Sequence, residues 1–154
     1  AILCSANPSQ AETAASIMTV GATVTSNCTI KTGSLGFGTL DPSSGSDGES
    51  SGAVAVTCTN GTSWTASLAS GSGSTASAAD RRMINGEYEL SYALYRDPAR
   101  RELWGDGAEA GTYVISGTGS GLPQPASVYG RIAAGQEGLP AGSYSDALGV
   151  TISY

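Results

Sequence analysis

Cysteine is the residue type with the clearest chemistry in this chain, which has 154 residues and three cysteines. Cys28 and Cys58 lie at inward positions of two strand-like segments, so we predict a disulfide between them. The loop that it closes has about 30 residues, and such a bridge contributes about 3–4 kcal/mol to stability in the chain-entropy model. Cys4 is left without a partner, and the three cysteines lack the spacing of a zinc site.

Histidine is absent from the sequence, which excludes Ser-His-Asp and Cys-His catalysis and most transition-metal sites. Two loops are acidic, one with Asp41, Asp47 and Glu49 and the other with Asp106 and Glu109. Neither has the alternating ligands of a calcium loop, so we interpret these charges as solvated rather than as a calcium site. We therefore predict no catalytic residue, no metal and no cofactor.

The elements that position these residues are predicted to be β-strands. Large and small residues alternate with period two along several segments, as in half-buried strands. Asn85-Gly86 predicts a hairpin turn, and one helical turn within residues 75–82 is the single helical alternative. The predicted strands are residues 18–24, 54–58, 63–68, 88–94, 112–116, 127–132 and 142–154, with a short apolar piece at 34–40. Short strands with glycine-rich turns are typical of a β-sandwich, so we predict an all-β fold with Trp104 in its core rather than on a sugar-stacking surface.

Although residues 88–94 form the clearest predicted strand, the last one, residues 142–154, alternates over its whole length. Its large residues fall on one face and its small polar residues on the other. The printed sequence ends while the alternation is still running, so we expect an edge that another segment or another chain must cover. The inward face holds Tyr144, Asp146, Leu148, Val150, Ile152 and Tyr154.

The composition restricts the classes of partner. Charged residues are only 13% of the chain, and its net charge is −6. An acidic chain is a poor partner for nucleic acid or for an anionic membrane surface. The sequence contains no run of about 18 apolar residues, so it predicts no membrane-spanning helix. The length fits one domain, and the abundance of Ser, Thr and Gly favours an extracellular β-protein.

Residues 1–11 resemble the end of a secretory signal peptide, because an apolar start is followed by Pro8 and by the small-x-small sequence Ser9-Gln10-Ala11. We expect the mature chain to begin near Glu12 and to lack Cys4. The alternative is a disordered N-terminus with a free thiol. Export would place the protein where disulfides persist.

Several short motifs, taken in order, resemble one known family. The resemblance covers about residues 18–154 and depends on the order and spacing of the motifs rather than on any one of them. The motifs are Cys28-Thr29-Ile30, Leu35-Gly36-Phe37-Gly38, Val54-Ala55-Val56-Thr57-Cys58, Arg82-Met83, residues 90–97 (LSYALYRD), Trp104-Gly105-Asp106-Gly107, Val128-Tyr129-Gly130-Arg131-Ile132 and Gly142-Ser143-Tyr144-Ser145-Asp146. This arrangement resembles the spore coat protein U domain family, which includes subunits of archaic, Csu-type chaperone–usher pili of Gram-negative bacteria.

The resemblance implies an incomplete immunoglobulin-like β-sandwich that lacks its last strand. In that family a periplasmic chaperone fills the gap first, and the N-terminal strand of the next subunit replaces it at the outer-membrane usher. Residues 1–11 would then be a signal-peptide remnant, residues 12–26 the donor strand segment and residues 27–154 the immunoglobulin-like domain. The expected donor residues are Met18, Val20, Ala22 and Val24, and the expected groove and last-strand residues are Leu148, Val150, Ile152 and Tyr154.

We therefore expect a structural subunit of an archaic pilus, exported through the periplasm to the surface of a Gram-negative bacterium. It would polymerise head to tail with identical or related subunits and support attachment and biofilm formation. The alternative is a surface-binding module, either a tip lectin or adhesin or a spore-coat protein. A tip adhesin needs no donor strand, so residues 18–24 favour a shaft or adaptor subunit. An enzyme is the third and least favoured hypothesis.

Overall fold

The structure is a computed structural model, and it describes residues 11–71 and 76–154. In this part of the chain it has ten strands and one short 3₁₀ turn, and it contains no helix long and apolar enough to span a membrane. The 3₁₀ turn is Pro42–Ser44, and the strands are β1 (Cys28–Thr32), β2 (Gly48–Cys58), β3 (Ser63–Leu68), β4 (Arg81–Asn85), β5 (Tyr88–Tyr95), β6 (Leu103–Trp104), β7 (Thr112–Tyr113), β8 (Ile115–Thr118), β9 (Gln124–Ile132) and β10 (Val150–Ser153).

The strands form two sheets. The larger sheet has the order β1-β2-β9-β5-β6-β7, with β4 paired to β5, and the smaller sheet has the order β10-β3-β8. The pairs are antiparallel except for β6 with β7. The all-β prediction is therefore confirmed, and the two sheets are consistent with an immunoglobulin-like sandwich.

The core lies between the inward faces of the sheets. Buried and less buried residues alternate along β2, β3, β5 and β9, as period two requires of strands with one face inward. Position 130 of β9 requires glycine, because a Cβ there would come within 2.6 Å of the Phe37 ring. The buried core residues are Val54, Val56, Cys58, Trp64, Ala66, Leu68, Leu90, Tyr92, Leu94, Trp104, Ala126, Val128 and Ile132.

Several predicted elements are confirmed with small changes in their bounds. Ser63–Leu68 is a strand as predicted, and the hairpin at Asn85-Gly86 joins β4 to β5 with Asn85 opposite Tyr88. β2 begins earlier than predicted, at Gly48, because its first half pairs with β9. The predicted strand at residues 112–116 is two strands, since the chain passes from the larger to the smaller sheet at Val114.

Other predicted elements are wrong in extent. Residues 18–24 form no strand, and the ladder of the last strand is limited to Val150–Ser153. Residues 34–40, predicted only as a short apolar piece, are irregular, and the helical alternative does not occur in the described residues of the 75–82 segment. The interpretation of residues 1–11 as a leader, including Cys4, lies outside the described residues except at Ala11.

Candidate functional site

One side of the sandwich is closed by the chain itself, and the opposite side is open. On the closed side, β7 of the larger sheet continues into β8 of the smaller sheet through Val114. On the open side the edge strands β1 and β10 face each other, and within the described residues each pairs with one strand only. The two edges meet at one end, where Tyr154 Oη donates a hydrogen bond to Asn27 Oδ1 at 3.4 Å.

Away from that end the two edges diverge and leave a groove of about 440 Å³. One wall is the end of β1 and the chain that follows it, within residues 32–37, and the other is the chain that leads into β10 and the first residue of β10, within residues 144–150. A side chain that enters the groove meets the core directly, so burial of apolar surface would stabilise it there. The floor is formed by the core residues Val54, Leu68, Leu94, Trp104 and Val128.

The predicted groove residues lie at different positions along this open side. Leu148 and Val150 are in the groove wall. Ile152 packs against the core and is not among the residues that line the groove. Tyr154 is 61% exposed at the end where the two edges meet. The wall also extends back to Tyr144, and along it the inward residues are half-buried while their neighbours are exposed.

A hydrogen-bonded pair, Tyr92 and Asp146, holds this wall against β5. Tyr92 Oη donates to Asp146 Oδ2 at 2.6 Å, and the Ala147 backbone N–H donates to Oδ1 at 2.9 Å. Burial and then the hydrogen bond to Asp146 raise the pKa of Tyr92 above its ordinary value, so the phenol stays protonated and remains a donor. The sequence placed Asp146 on the inward face but gave no partner for it.

Arg81 is a second residue behind the groove that the sequence did not reveal. Its side chain is fully buried, and its guanidinium donates to the backbone carbonyls of Ala69, Ala78 and Trp104 at 3.1, 3.2 and 2.8 Å. Burial lowers the pKa of Arg81, but a guanidinium stays charged in proteins. Its neighbour Arg82 instead pairs at the surface with carboxylates.

The N-terminal segment, residues 11–27, lies outside both sheets. It exposes four large apolar side chains, which soluble domains usually bury. The exposed fractions are 94% for Ile17, 84% for Met18, 85% for Val20 and 83% for Val24. Ala22, the fourth predicted donor residue, is also exposed. Within this structure, therefore, the predicted donor residues and the groove lie in one chain without contacting each other.

The segment is anchored where it joins the domain. The Asn27 backbone N–H donates to Thr59 Oγ1 at 3.0 Å, and the Thr59 N–H donates back to the Asn27 carbonyl at 2.9 Å. The predicted disulfide follows at once, because Cys28 and Cys58 lie directly opposite each other on β1 and β2 and are bonded. The chain is therefore fixed from Asn27 onward, at the end of the domain where the groove is closed.

Trp104 and the loop carboxylates, the alternative candidates for sugar stacking and calcium binding, have structural roles. Trp104 is buried, and its Nε1–H donates to the Ala66 carbonyl at 2.9 Å, so its place in the core is confirmed. The loop carboxylates accept hydrogen bonds from nearby N–H groups, as Asp41 does from Ser43 and Asp106 does from Ala108. Within residues 11–71 and 76–154, no cluster of three or more potential metal ligands occurs.

Comparison with known proteins supports one family. The chain matches the model of the Spore Coat Protein U domain over residues 14–151. It is 36% identical over 170 aligned positions to Protein U of Myxococcus xanthus, covering 100% of this chain and 92% of that protein.

A solved structure has a similar fold. It is the crystal structure of the CsuC–CsuE chaperone–tip adhesion subunit pre-assembly complex from the archaic chaperone–usher Csu pili of Acinetobacter baumannii. The similarity to one of its chains has a TM-score of 0.63 at 20% identity and covers 86% of this chain. This chain spans only 40% of the length of that chain, so the likeness concerns the fold. From the family match and the identity to Protein U, the chain belongs to the Spore Coat Protein U domain family, whose members are structural proteins rather than enzymes.

Proposed function

We propose that this chain is a pilus subunit that polymerises head to tail by inserting its donor segment, residues 12–26, into the groove of another subunit. The observation that carries the proposal is the coexistence of an open groove on the core and an exposed apolar segment in one chain. Each is unfavourable in water by itself, and insertion would satisfy both. Because donor and groove are separate parts of each subunit, the contact repeats without closing and produces a filament.

The donor segment matches the groove in length and pattern. The inward donor positions Met18, Val20, Ala22 and Val24 span six residue steps, as do the inward wall positions from Tyr144 to Val150. Six strand steps are about 20 Å. The large donor side chains contribute about 1.5–3 kcal/mol each when buried, and the open edges of β1 and β10 add backbone hydrogen bonds.

The anchor at Thr59 favours insertion into another subunit over insertion into the same one. Only Thr25, Ser26 and Asn27 separate Val24 from β1. The hydrogen bonds between Asn27 and Thr59 extend the β1–β2 ladder by one residue. The chain before Asn27 therefore continues away from its own domain. A self-inserted donor segment would have to reverse direction within this spacer and break those hydrogen bonds.

The proposal extends to the route of assembly. An empty groove exposes apolar core side chains to water, so we propose that a periplasmic chaperone covers the groove until the outer-membrane usher exchanges it for a donor segment. The resemblance in fold to a chain of a chaperone–subunit complex supports this route. The polymer would lie on the surface of a Gram-negative cell and support attachment and biofilm formation.

A second candidate is a surface-binding subunit at the filament tip, favoured by the tip adhesion subunit named in that complex. The exposed donor segment favours a shaft or adaptor position instead, because a tip subunit has no groove ahead of it to fill. Binding of the purified chain to a glycan array, combined with a failure to self-associate, would support the tip candidate.

The test is to supply the missing strand within one chain. Residues 16–26 are appended after Tyr154 through a short flexible linker, and the native N-terminal donor segment is removed from this variant and from the parent. The appended strand can turn back beside β10 at an effective concentration of about millimolar. We expect a monomer with a much higher thermal midpoint than the parent. The matched control carries Val20→Asp in the appended strand and should not be stabilised; equal midpoints for all three proteins would contradict the proposal.

A further inference from the structure

The proposed contact between the donor segment of one subunit and the groove of another is called the joint. The two methionines of this chain lie on its two sides. Met18 is in the donor segment and is 84% exposed. Met83 is in β4, half-buried, and lines the groove. The other large apolar side chains of the donor segment, Ile17, Val20 and Val24, are hydrocarbons that mild oxidants leave unchanged. Met18 is therefore the one apolar donor residue whose polarity a mild oxidant can change.

We propose that Met18 is a site of reversible oxidation that decides whether the donor segment can enter a groove. The inference rests on the proposed function. The oxidant is a hydroperoxide, which transfers one oxygen atom to the thioether sulfur. The O–O bond breaks as the S–O bond forms, the sulfur loses two electrons, and hydrogen peroxide leaves as water. Methionine sulfoxide reductases reverse the reaction, so the change need not be permanent.

Oxidation of Met18 would weaken the joint because the groove floor lacks free hydrogen-bond donors for a sulfoxide. A sulfoxide is polar and accepts hydrogen bonds, whereas the valine and leucine side chains of the floor have no donor, and the Trp104 Nε1–H already donates to the Ala66 carbonyl. Burying the sulfoxide there without a partner should weaken the joint by about tenfold or more. In the free subunit, the same sulfoxide stays in water at little cost.

The state of assembly decides whether Met18 can react. In the unassembled chain the sulfur is exposed, and in a joint it would be covered by the groove of the neighbouring subunit. A hydroperoxide would therefore stop the formation of new joints and spare those already made. Met83 is more enclosed than Met18 in the free chain, so Met18 should react first.

The experiment treats the full chain with hydrogen peroxide either before or after it has self-associated. Peptide mass spectrometry measures the added oxygen at each methionine, and light scattering measures self-association. We expect Met18 to be oxidised only in the unassembled sample, which should then self-associate at least tenfold more weakly and recover after treatment with methionine sulfoxide reductases A and B.

Two matched variants locate the effect. Met18→Leu keeps an apolar side chain of similar volume and should self-associate normally even after peroxide treatment. Met83→Leu should remain sensitive to peroxide. Equal sensitivity of Met18→Leu and the unmodified chain, or normal self-association of chains oxidised at Met18, would overturn the inference alone. If the untreated chain does not self-associate, the proposed function falls and this inference falls with it.

Discussion

Val20→Asp should abolish self-association while leaving the stability of the free domain unchanged. Val20 is 85% exposed and lies outside both sheets, so an aspartate there meets only water in the free chain. Surface changes of this kind usually alter the free energy of unfolding by less than about 0.5 kcal/mol. Any larger effect on self-association must therefore arise in the joint.

The size of that effect follows from the groove. Removing a buried valine side chain forfeits about 1.5–3 kcal/mol of hydrophobic stabilisation. Placing a polar or charged group on a floor of valine and leucine side chains adds at least about 2 kcal/mol more. The sum is about 4 kcal/mol or more, which corresponds to a joint that is about a thousandfold weaker.

Thr19→Asp and Thr23→Asp are the matched controls, because the proposed parity of the inserted strand would leave their side chains facing outward. They add the same charge, and in the joint they should keep it in solvent. Light scattering of the purified full chains, with thermal unfolding measured in parallel, compares the three variants. Normal self-association of Val20→Asp, or equal loss in all three variants, would refute the assignment of donor residues and their parity.

Three further predictions concern the domain that presents the groove. Reduction of Cys28–Cys58 should lower the free energy of unfolding by about 3–4 kcal/mol, measured by urea denaturation with and without reductant. Arg81→Leu should destabilise by about 3 kcal/mol or more, because it leaves buried carbonyls without donors, whereas Arg101→Leu at an exposed position should have little effect in the same assay. Because the pKa of Tyr92 is raised in the folded state, its contribution to stability is present below about pH 10 and is lost as the pH rises further. In urea titrations, Tyr92→Phe should therefore show a weaker loss of stability above about pH 10 than the unmodified chain; parallel pH profiles would contradict this assignment.

The sequence was sufficient for features that repeat with period two. The inward face of β5 and the parity of residues 144–152 followed from alternation alone, because burial on one face requires it. Alternation does not tell whether a strand has found its partner. For this reason the alternation predicts strands at residues 18–24 and 142–149, although the first segment forms no strand and residues 144–148 of the second form a groove wall.

The contacts behind the groove could not be predicted from the sequence. The predicted hairpin puts Arg81 opposite the inward-facing Tyr92, but only the fold shows which backbone carbonyls its guanidinium reaches. The pair Tyr92 and Asp146 is 54 residues apart in sequence, and its contact depends on how the chain before β10 crosses β5. Long-range pairings of this kind leave no local pattern.

The Cys28–Cys58 disulfide would have a mechanical consequence in the proposed filament. Tension along the filament would enter each domain through the donor segment and reach Cys28, the first residue of β1. The covalent bond passes that load to Cys58, at the end of β2, without first stretching the five residue pairs that join β1 to β2. β2 is paired with β9 at nine positions, so pulling along it strains many hydrogen bonds together in shear. A peripheral strand that would otherwise peel away one bond at a time thus acts mechanically as part of the sheet interior.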